Sequence, residues 1–176
     1  MRMPEDLETR EKILEWAARY SIPEDEGILI NCLKKSGHFG EHITKDDLLE
    51  IVRWKSHRAL GKARKNSEED VISVSRRAFG SNSDVARVKI LSELHGVLWP
   101  IASAILHLAS TNCYPILDIY AALAVNAPPP QKFNDRLLEQ YVSLCRATAK
   151  EHDISMRTLD RALITYGYHK SKDKSP

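Results

Sequence analysis

The chain has 176 residues, of which 43% are hydrophobic and 28% are charged, and its formal net charge is +2. This composition is typical of a soluble globular protein, and it excludes a small fold that depends on metals or disulfides for its stability. No apolar run approaches the roughly 18 residues of a membrane span, and the N-terminus lacks the apolar core of a signal peptide. We therefore expect no membrane partner, while the small net charge identifies no class of partner.

The cysteines Cys32, Cys113 and Cys145 occur singly, without the spacing of a zinc or iron–sulfur site. They predict reduced thiols and a cytoplasmic protein. The histidines form no H-E-x-x-H pattern, and the sequence has no glycine-rich phosphate-binding motif. The sequence therefore predicts neither a metal nor a cofactor.

Helical periodicity dominates the first half of the chain, where apolar residues recur three and four positions apart. A first amphipathic helix is followed by a break in SIPEDEG and by a short second helix in GILINCLKK. Thr44 with Asp47, and Ser67 with Asp70, resemble capping pairs that begin two further helices. Asp84 is predicted to cap the next helix, DVARVKILSEL.

The second half is also predicted to be helical. Gly96 is predicted to end the preceding helix, and Pro100 suits the first turn of the following one. A further helix begins near Ile116 and ends before APPP, and a long amphipathic helix covers NDRLLEQYVSLCRATAKEH. Ser155 is predicted to cap the last helix and Gly167 to end it, before a frayed basic tail. The fold class is therefore all-α, a multi-helix array. It forms a single helical domain over residues 1–176 or, alternatively, two lobes of about 25–115 and 1–24 with 116–176.

A basic run, RWKSHRALGKARK, extends from Arg53 to Lys65 and contains six lysines and arginines but no acid. Such a run can bind phosphates, and it is equally compatible with a solvated helix end followed by a loop. Trp54 within it could stack on a base, or it could belong to the core.

The stretch LHGVLWPIASAILHLASTNCYPILD, from Leu94 to Asp118, combines an L-x-G-V turn, small residues in ASAIL and a carboxylate after YPIL. In this order the three features resemble the helix-hairpin-helix region of the base-excision DNA glycosylase superfamily. The resemblance implies a DNA-glycosylase-like array with a central helix-hairpin-helix, in which backbone N–H groups of the turn and the helix dipole bind a DNA phosphate. It also implies that Asp118 is the catalytic carboxylate at the pocket for a flipped base.

The resemblance assigns DNA binding to the turn, with auxiliary phosphate contacts from the basic run: His95, Gly96, Val97, Leu98 and Trp99, with Arg53, Lys55 and Arg58. Trp99 could insert into DNA as a wedge or pack between helices. Pro100 falls at the position where bifunctional members carry a nucleophilic lysine. The implied activity is therefore that of a monofunctional N-glycosylase without lyase chemistry, which removes a damaged or mismatched base from DNA.

Two alternatives remain open. Leu98 stands where the superfamily turn has a second glycine, and the N-terminal W-x-x-x-x-x-x-Q-Q-T type motif, which helps the adenine-removing branch insert into the duplex, is missing. Both features favour a non-catalytic helical interaction protein that kept the scaffold and lost the activity. The other alternative is an unrelated helical hairpin in which Asp118 is only a helix N-cap. The set Arg157, Asp160 and Arg161 is interpreted as ion pairs on a helix surface or as a brace for Asp118.

Overall fold

The computed structural model describes residues 1–21, 24–111 and 113–173. All regular secondary structure in these residues is helical, which confirms the all-α prediction. The α-helices are α1 (Arg10–Ala18), α2 (Glu24–Lys35), α3 (Lys45–Ser56), α4 (Leu60–Ala63), α5 (Glu68–Gly80), α6 (Asp84–Leu91), α7 (Trp99–Ala109), α8 (Ile119–Ala124), α9 (Asp135–Glu151) and α10 (Met156–Lys172). Short 3₁₀ turns occupy Glu5–Leu7, His57–Ala59 and Pro130–Lys132. Residues 22 and 23 of the predicted break and 174–176 of the predicted tail lie outside the described residues.

The chain divides into two compact units. The terminal unit consists of Met1–Ser21 and Tyr114–Pro176, and the central unit consists of Ile22–Cys113. In the terminal unit α10 packs against α1, α8 and α9. In the central unit α3 packs against α2, α4, α5 and α7, while α6 packs against α5 and α7. Each unit therefore has one helix, α10 or α3, that contacts most of its neighbours.

Three helices begin with the side-chain cap that the sequence predicts for them. The Thr44 hydroxyl accepts from the Asp47 N–H at 3.2 Å, and the Asp47 carboxylate accepts from the Thr44 N–H at 2.9 Å, which completes a capping box for α3. Ser67 caps α5 through the N–H of Asp70, and Ser155 caps α10. Caps of this kind each stabilise a helix by about 1 kcal/mol, so these three helix starts have a local cause in the sequence.

The prediction that Asp84 caps α6 is wrong by one residue. Ser83 is the N-cap, and its hydroxyl accepts from the N–H of Ala86 at 3.2 Å. Asp84 is the first residue inside the helix, where its carboxylate pairs with Arg87 at 3.4 Å. A carboxylate in the first turn still favours the helix through the dipole, which is why both residues suit this terminus.

Gly167 does not end α10, which continues to Lys172. A Cβ at this position would lie 1.9 Å from the carbonyl oxygen of Tyr120, at the start of α8. Gly167 is therefore required because the backbones of α8 and α10 approach each other at this point. A glycine inside a helix carries a cost in backbone entropy, and here the close packing of two helices offsets it.

Gly96 is likewise not the end of α6, which ends at Leu91. Five residues further on, Gly96 has a φ of +80°, a left-handed conformation that favours glycine. Gly96 therefore belongs to a separate turn between α6 and α7, and its left-handed conformation is the reason for a glycine there.

Candidate functional site

The candidate phosphate-binding turn, residues 94–98, lies between α6 and α7 in the central unit. The N–H of Val97 donates to the carbonyl of Leu94 at 3.1 Å, and the side chains of both residues are buried. Gly96 supplies the left-handed residue between them. We call this segment the Gly96 turn. Its two buried anchors and its internal hydrogen bond give it one defined conformation.

Asn66, which is 29 positions from His95 in the sequence, holds the Gly96 turn through direct hydrogen bonds. Its side-chain oxygen accepts from the N–H of His95 at 2.8 Å, and its amide nitrogen donates to the carbonyl of His95 at 3.0 Å. The same nitrogen donates to the carbonyl of Ala63 at 2.8 Å. Because Asn66 is buried, its side-chain amide needs hydrogen-bond partners within the protein, and these three bonds supply them. Asn66 therefore ties the turn to the end of α4.

The Gly96 turn also packs directly against α4. A Cβ on Gly96 would lie 2.9 Å from the backbone nitrogen of Ala63 and 3.0 Å from both the carbonyl oxygen of Ala59 and the Cβ of Lys62. Only a residue without a side chain fits this contact. The structure therefore brings the turn and the C-terminal part of the basic run together, although some 30 residues separate them in the sequence.

The basic run itself follows α3, the 3₁₀ turn and α4. Arg53 forms an ion pair with Glu50, and the ammonium of Lys55 lies 5.9 Å from the ring centroid of Trp54. The later cations of the run are exposed: Arg58, Lys62, Arg64 and Lys65. Of the three residues that the sequence singles out, Arg58 is therefore the exposed cation nearest in sequence to α4. Lys62 and Lys65, which were not singled out, stand on or directly beyond the helix that contacts the turn.

Leu98 is the N-cap of α7 and has no polar side chain that could cap it. Its side chain is 71% exposed, whereas Trp99 beside it is half-buried. The apolar residue that projects at the edge of the Gly96 turn is therefore Leu98 rather than Trp99. The small residues predicted in α7, Ala102, Ser103 and Ala104, are all buried.

Asp118 lies in the terminal unit and is the N-cap of α8. One carboxylate oxygen, Oδ1, accepts from the N–H groups of Tyr120 at 3.0 Å and of Ala121 at 2.9 Å. The residue is half-buried, and Ile119 next to it is 49% exposed. The two N–H donors fix the orientation of the carboxylate, and helix N-termini favour negative charge. Asp118 thus has the capping role that one alternative predicts, in an orientation that is held by its own helix.

Tyr141 of α9 fixes the segment that leads into Asp118. Its hydroxyl donates to the carbonyl of Ile116 at 2.9 Å, and its ring is fully buried. Burial raises the pKa of Tyr141 well above 10.0, and the nearby Cys145, Asp160 and Asp118 raise it further. The hydroxyl therefore remains a protonated donor. Sequence periodicity predicts that Tyr141 faces inward, but it gives no indication of this hydrogen bond.

The interpretation of Arg157, Asp160 and Arg161 as a set of surface ion pairs is wrong for Asp160, which is fully buried. Arg157 forms an ion pair with Asp160 and lies 3.5 Å from the hydroxyl of Tyr20. Charged groups inside proteins are ordinarily paired, and Arg157 is the charged partner of Asp160. The spacing correctly predicts the pairing, while the depth of Asp160 depends on the tertiary packing of α10, which places it near Tyr141 of α9.

The structure therefore assembles the predicted site residues into two groups. The Gly96 turn, Asn66 and the basic run lie together in the central unit. Asp118 lies in the terminal unit with Tyr141 and the buried Arg157–Asp160 pair. Asn66 is the residue that sequence reasoning missed in the first group, because nothing in KNS distinguishes it from an ordinary loop asparagine.

Comparison of the chain with protein-family models, with curated proteins and with solved structures gives no match. The relationship to the DNA glycosylase superfamily therefore stays a prediction. Within residues 1–21, 24–111 and 113–173, no group of three or more His, Cys, Asp or Glu side chains is arranged to hold a metal ion. None of the helices in this described part combines the length and apolar character that crossing a membrane requires.

Proposed function

We propose that this protein binds DNA through the Gly96 turn and the adjoining basic run, as a divergent helix-hairpin-helix protein of the DNA glycosylase superfamily. The observation that carries the proposal is the contact between Gly96 and α4, which places a rigid turn beside exposed cations. Lysine and arginine side chains supply the sequence-independent attraction to phosphates. The N-terminus of α7, which begins beside the turn, adds the positive end of a helix dipole.

Each residue of the turn has a distinct role in this proposal. His95 is exposed, and its ring can donate a hydrogen bond to a phosphate. Val97 anchors the turn in the core, and Gly96 allows it to lie against α4. Leu98 and Trp99 stand at the start of α7, where the exposed Leu98 would contact a groove or a base step. Arg58, Lys62 and Lys65 contact the phosphate backbone, with Arg53 and Lys55 further along the run.

For catalysis we infer that Asp118 acts as the carboxylate of a monofunctional N-glycosylase. When the N-glycosidic bond breaks, its electron pair leaves with the base and positive charge develops on the sugar. The carboxylate of Asp118, held by two backbone N–H donors, would stabilise that charge. A water molecule then adds hydroxide to the sugar carbon, and its remaining proton is transferred to the departing base. Pro100 provides no amine, so a Schiff-base step has no nucleophile at that position.

The second candidate function is a non-catalytic interaction protein on the same scaffold. Two observations favour it: the leucine that projects at Leu98, where close approach of a phosphate to the backbone would be obstructed, and the commitment of Asp118 to capping α8. The first function predicts release of a base and salt-dependent binding to DNA, whereas the second predicts no base release.

The binding proposal is tested with Lys62→Gln/Lys65→Gln against the matched control Lys34→Gln/Lys35→Gln, which removes two exposed charges from α2 of the same unit. Fluorescence anisotropy with a labelled duplex, between about 50 and about 200 mM salt, measures affinity. We expect the first variant to reduce the slope of log affinity against log salt by about 1.8, since each phosphate contact contributes about 0.9. If the two variants give equal slopes, Lys62 and Lys65 of the basic run do not contact DNA phosphates. Absence of duplex binding at low salt would refute DNA binding altogether.

The catalytic proposal is tested with Asp118→Asn on duplexes that carry damaged or mismatched bases. Asparagine caps helices about as well as aspartate, so this variant should retain the α8 start while losing the charge. We expect base release to fall by at least about 100-fold, because electrostatic stabilisation of the transition state is lost. If wild type releases no base, or the variant releases it equally fast, the catalytic role of Asp118 is wrong and the binding proposal stands by itself.

A further inference from the structure

A cluster of aromatic and basic side chains occupies the surface of the terminal unit where α8 meets the end of α10. Ile119 is 49% exposed and Tyr168 is 40% exposed. The rings of Tyr120 and Tyr168 meet edge to face, with centroids 5.4 Å apart and an interplanar angle of 85°. The ammonium of Lys172 lies 4.6 Å from the centroid of the Tyr168 ring. We call these four residues the α8–α10 surface.

The close packing at Gly167 produces this surface. At Gly167 the two helices are so close that a Cβ would overlap the backbone of Tyr120. The ring of Tyr120 therefore lies against that of Tyr168, the residue that follows Gly167. Because α10 continues past Gly167, Lys170 and Lys172 are on a helix rather than on a frayed tail. The Lys170 ammonium donates to the side-chain oxygen of Asn126 at 2.9 Å, which ties the last turns of α10 to the end of α8. The packing of α8 against α10 therefore positions the two rings, and the contact with Asn126 positions the ammonium of Lys170.

The chemistry of the surface indicates what it would bind. An exposed aromatic ring beside cations suits a ligand that combines flat rings with negative charge, since rings can stack while phosphates contact the cations. Lys170 and Lys172 carry the positive charge of this surface, while Asp118 precedes Ile119 and Asp173 follows Lys172 in the sequence. In a duplex the faces of the bases are hidden in the stack, whereas unpaired nucleotides expose them. The surface therefore fits a single strand better than a duplex.

We propose that the α8–α10 surface binds unpaired nucleotides of a single-stranded nucleic acid, with a base stacked on Tyr168 and a phosphate contacted by Lys172. This inference rests on the proposed function, and it deepens that function because the surface begins next to the candidate carboxylate. The N–H of Tyr120 donates to Asp118, and Ile119 lies between these two residues in sequence. A nucleotide held on Tyr168 would therefore lie beside Asp118 within the same unit.

The test measures binding of a labelled oligothymidine of about 12 nucleotides by fluorescence anisotropy, and of a labelled duplex in parallel. We expect Tyr168→Ala to weaken oligothymidine binding roughly ten-fold, because a stacked base is lost, and Tyr168→Phe to retain most of the affinity. Lys172→Gln, at an exposed residue, should weaken binding and reduce its salt dependence by about one phosphate contact. Leu14→Ala, which truncates an exposed apolar residue on α1 of the same unit, is the matched control and should leave affinity unchanged.

The outcomes separate this inference from the proposed function. Loss of oligothymidine binding in Tyr168→Ala and Lys172→Gln, with duplex binding unchanged, supports the inference. If wild type binds the duplex but not oligothymidine, or binds oligothymidine no better than Tyr168→Ala does, the inference is wrong and the proposed function survives. If wild type binds oligothymidine through Tyr168 but binds no duplex, the inference holds and the duplex interface of the central unit is wrong. Binding of neither nucleic acid overturns both.

Discussion

In the central unit the Gly96 turn is held from outside, by the side chain of Asn66 and by contact with α4, whereas Asp118 in the terminal unit is held by the helix that it caps. Each unit also has a glycine at a point where two backbone segments approach closely. Gly96 needs both a positive φ and the absence of a side chain, while Gly167 needs only the second. The same residue type therefore has two different physical roles, and substitutions can separate them.

The largest expected effect is that of Gly167→Ala. Its Cβ would lie 1.9 Å from a backbone carbonyl, which cannot rotate away as a side chain can, so α8 and α10 must separate. We expect a loss of about 3 kcal/mol in the free energy of unfolding, at the upper end of overpacking effects. Urea denaturation measures the loss, and hydrogen exchange should show it in α8 and α10.

Gly61→Ala is the matched control for that change. Gly61 lies within α4, and nothing stands within 4 Å of its Cβ position. Alanine there should stabilise the protein by about 0.5–1 kcal/mol, because it restricts the unfolded chain and favours the helix. A Gly167→Ala protein as stable as wild type would show that α8 and α10 do not pack at this glycine.

A smaller effect is expected for Gly96→Ala, about 2 kcal/mol, from the positive φ together with contacts of 2.9–3.0 Å to α4. Gly37→Ala separates the two causes, since Gly37 has a φ of +78° and nothing within 4 Å of its Cβ position. That control should lose only about 1 kcal/mol. The excess loss in Gly96→Ala measures the packing of the turn on α4, and faster hydrogen exchange in residues 92–98 should accompany it. Equal losses would mean that α4 does not support the turn.

Local features of the sequence predicted much of the helical architecture, because their causes are local. Thr44 with Asp47 can form a capping box wherever an apolar helix follows, and Ser155 caps α10 for the same reason. The sequence predicts both Gly96 and Gly167 as helix ends, since it shows a glycine without showing what lies beside it. One of them is a turn residue, and the other lies inside a helix where a second helix crosses it.

The candidate site was less predictable because it depends on contacts between distant residues. Asn66 holds His95 through a contact that no periodicity indicates. The burial of Asp160 depends on the tertiary packing of α10, which places it near Tyr141 of α9, while its spacing from Arg157 indicates only that the two can pair. Leu98 was identified as a departure from a glycine, but its exposure of 71% is evident only in the folded protein.

The smallest expected effect is that of Tyr141, which holds the segment before Asp118. Tyr141→Phe removes the donor to the Ile116 carbonyl and should cost about 1 kcal/mol in the free energy of unfolding at neutral pH. Tyr168→Phe, at an exposed tyrosine, should change it by less than about 0.5 kcal/mol.

The pH dependence gives this prediction a second measurement. Because burial raises the pKa of Tyr141 above 10.0, the unfolded chain releases the phenol proton at a lower pH than the folded chain does. The contribution of Tyr141 is thus fully present below pH 10 and is lost as pH rises above it. The stability difference between wild type and Tyr141→Phe should therefore shrink in alkaline solution. A difference that stays constant with pH would mean that Tyr141 ionises equally in both states, and that the segment before Asp118 is not held by a buried phenol.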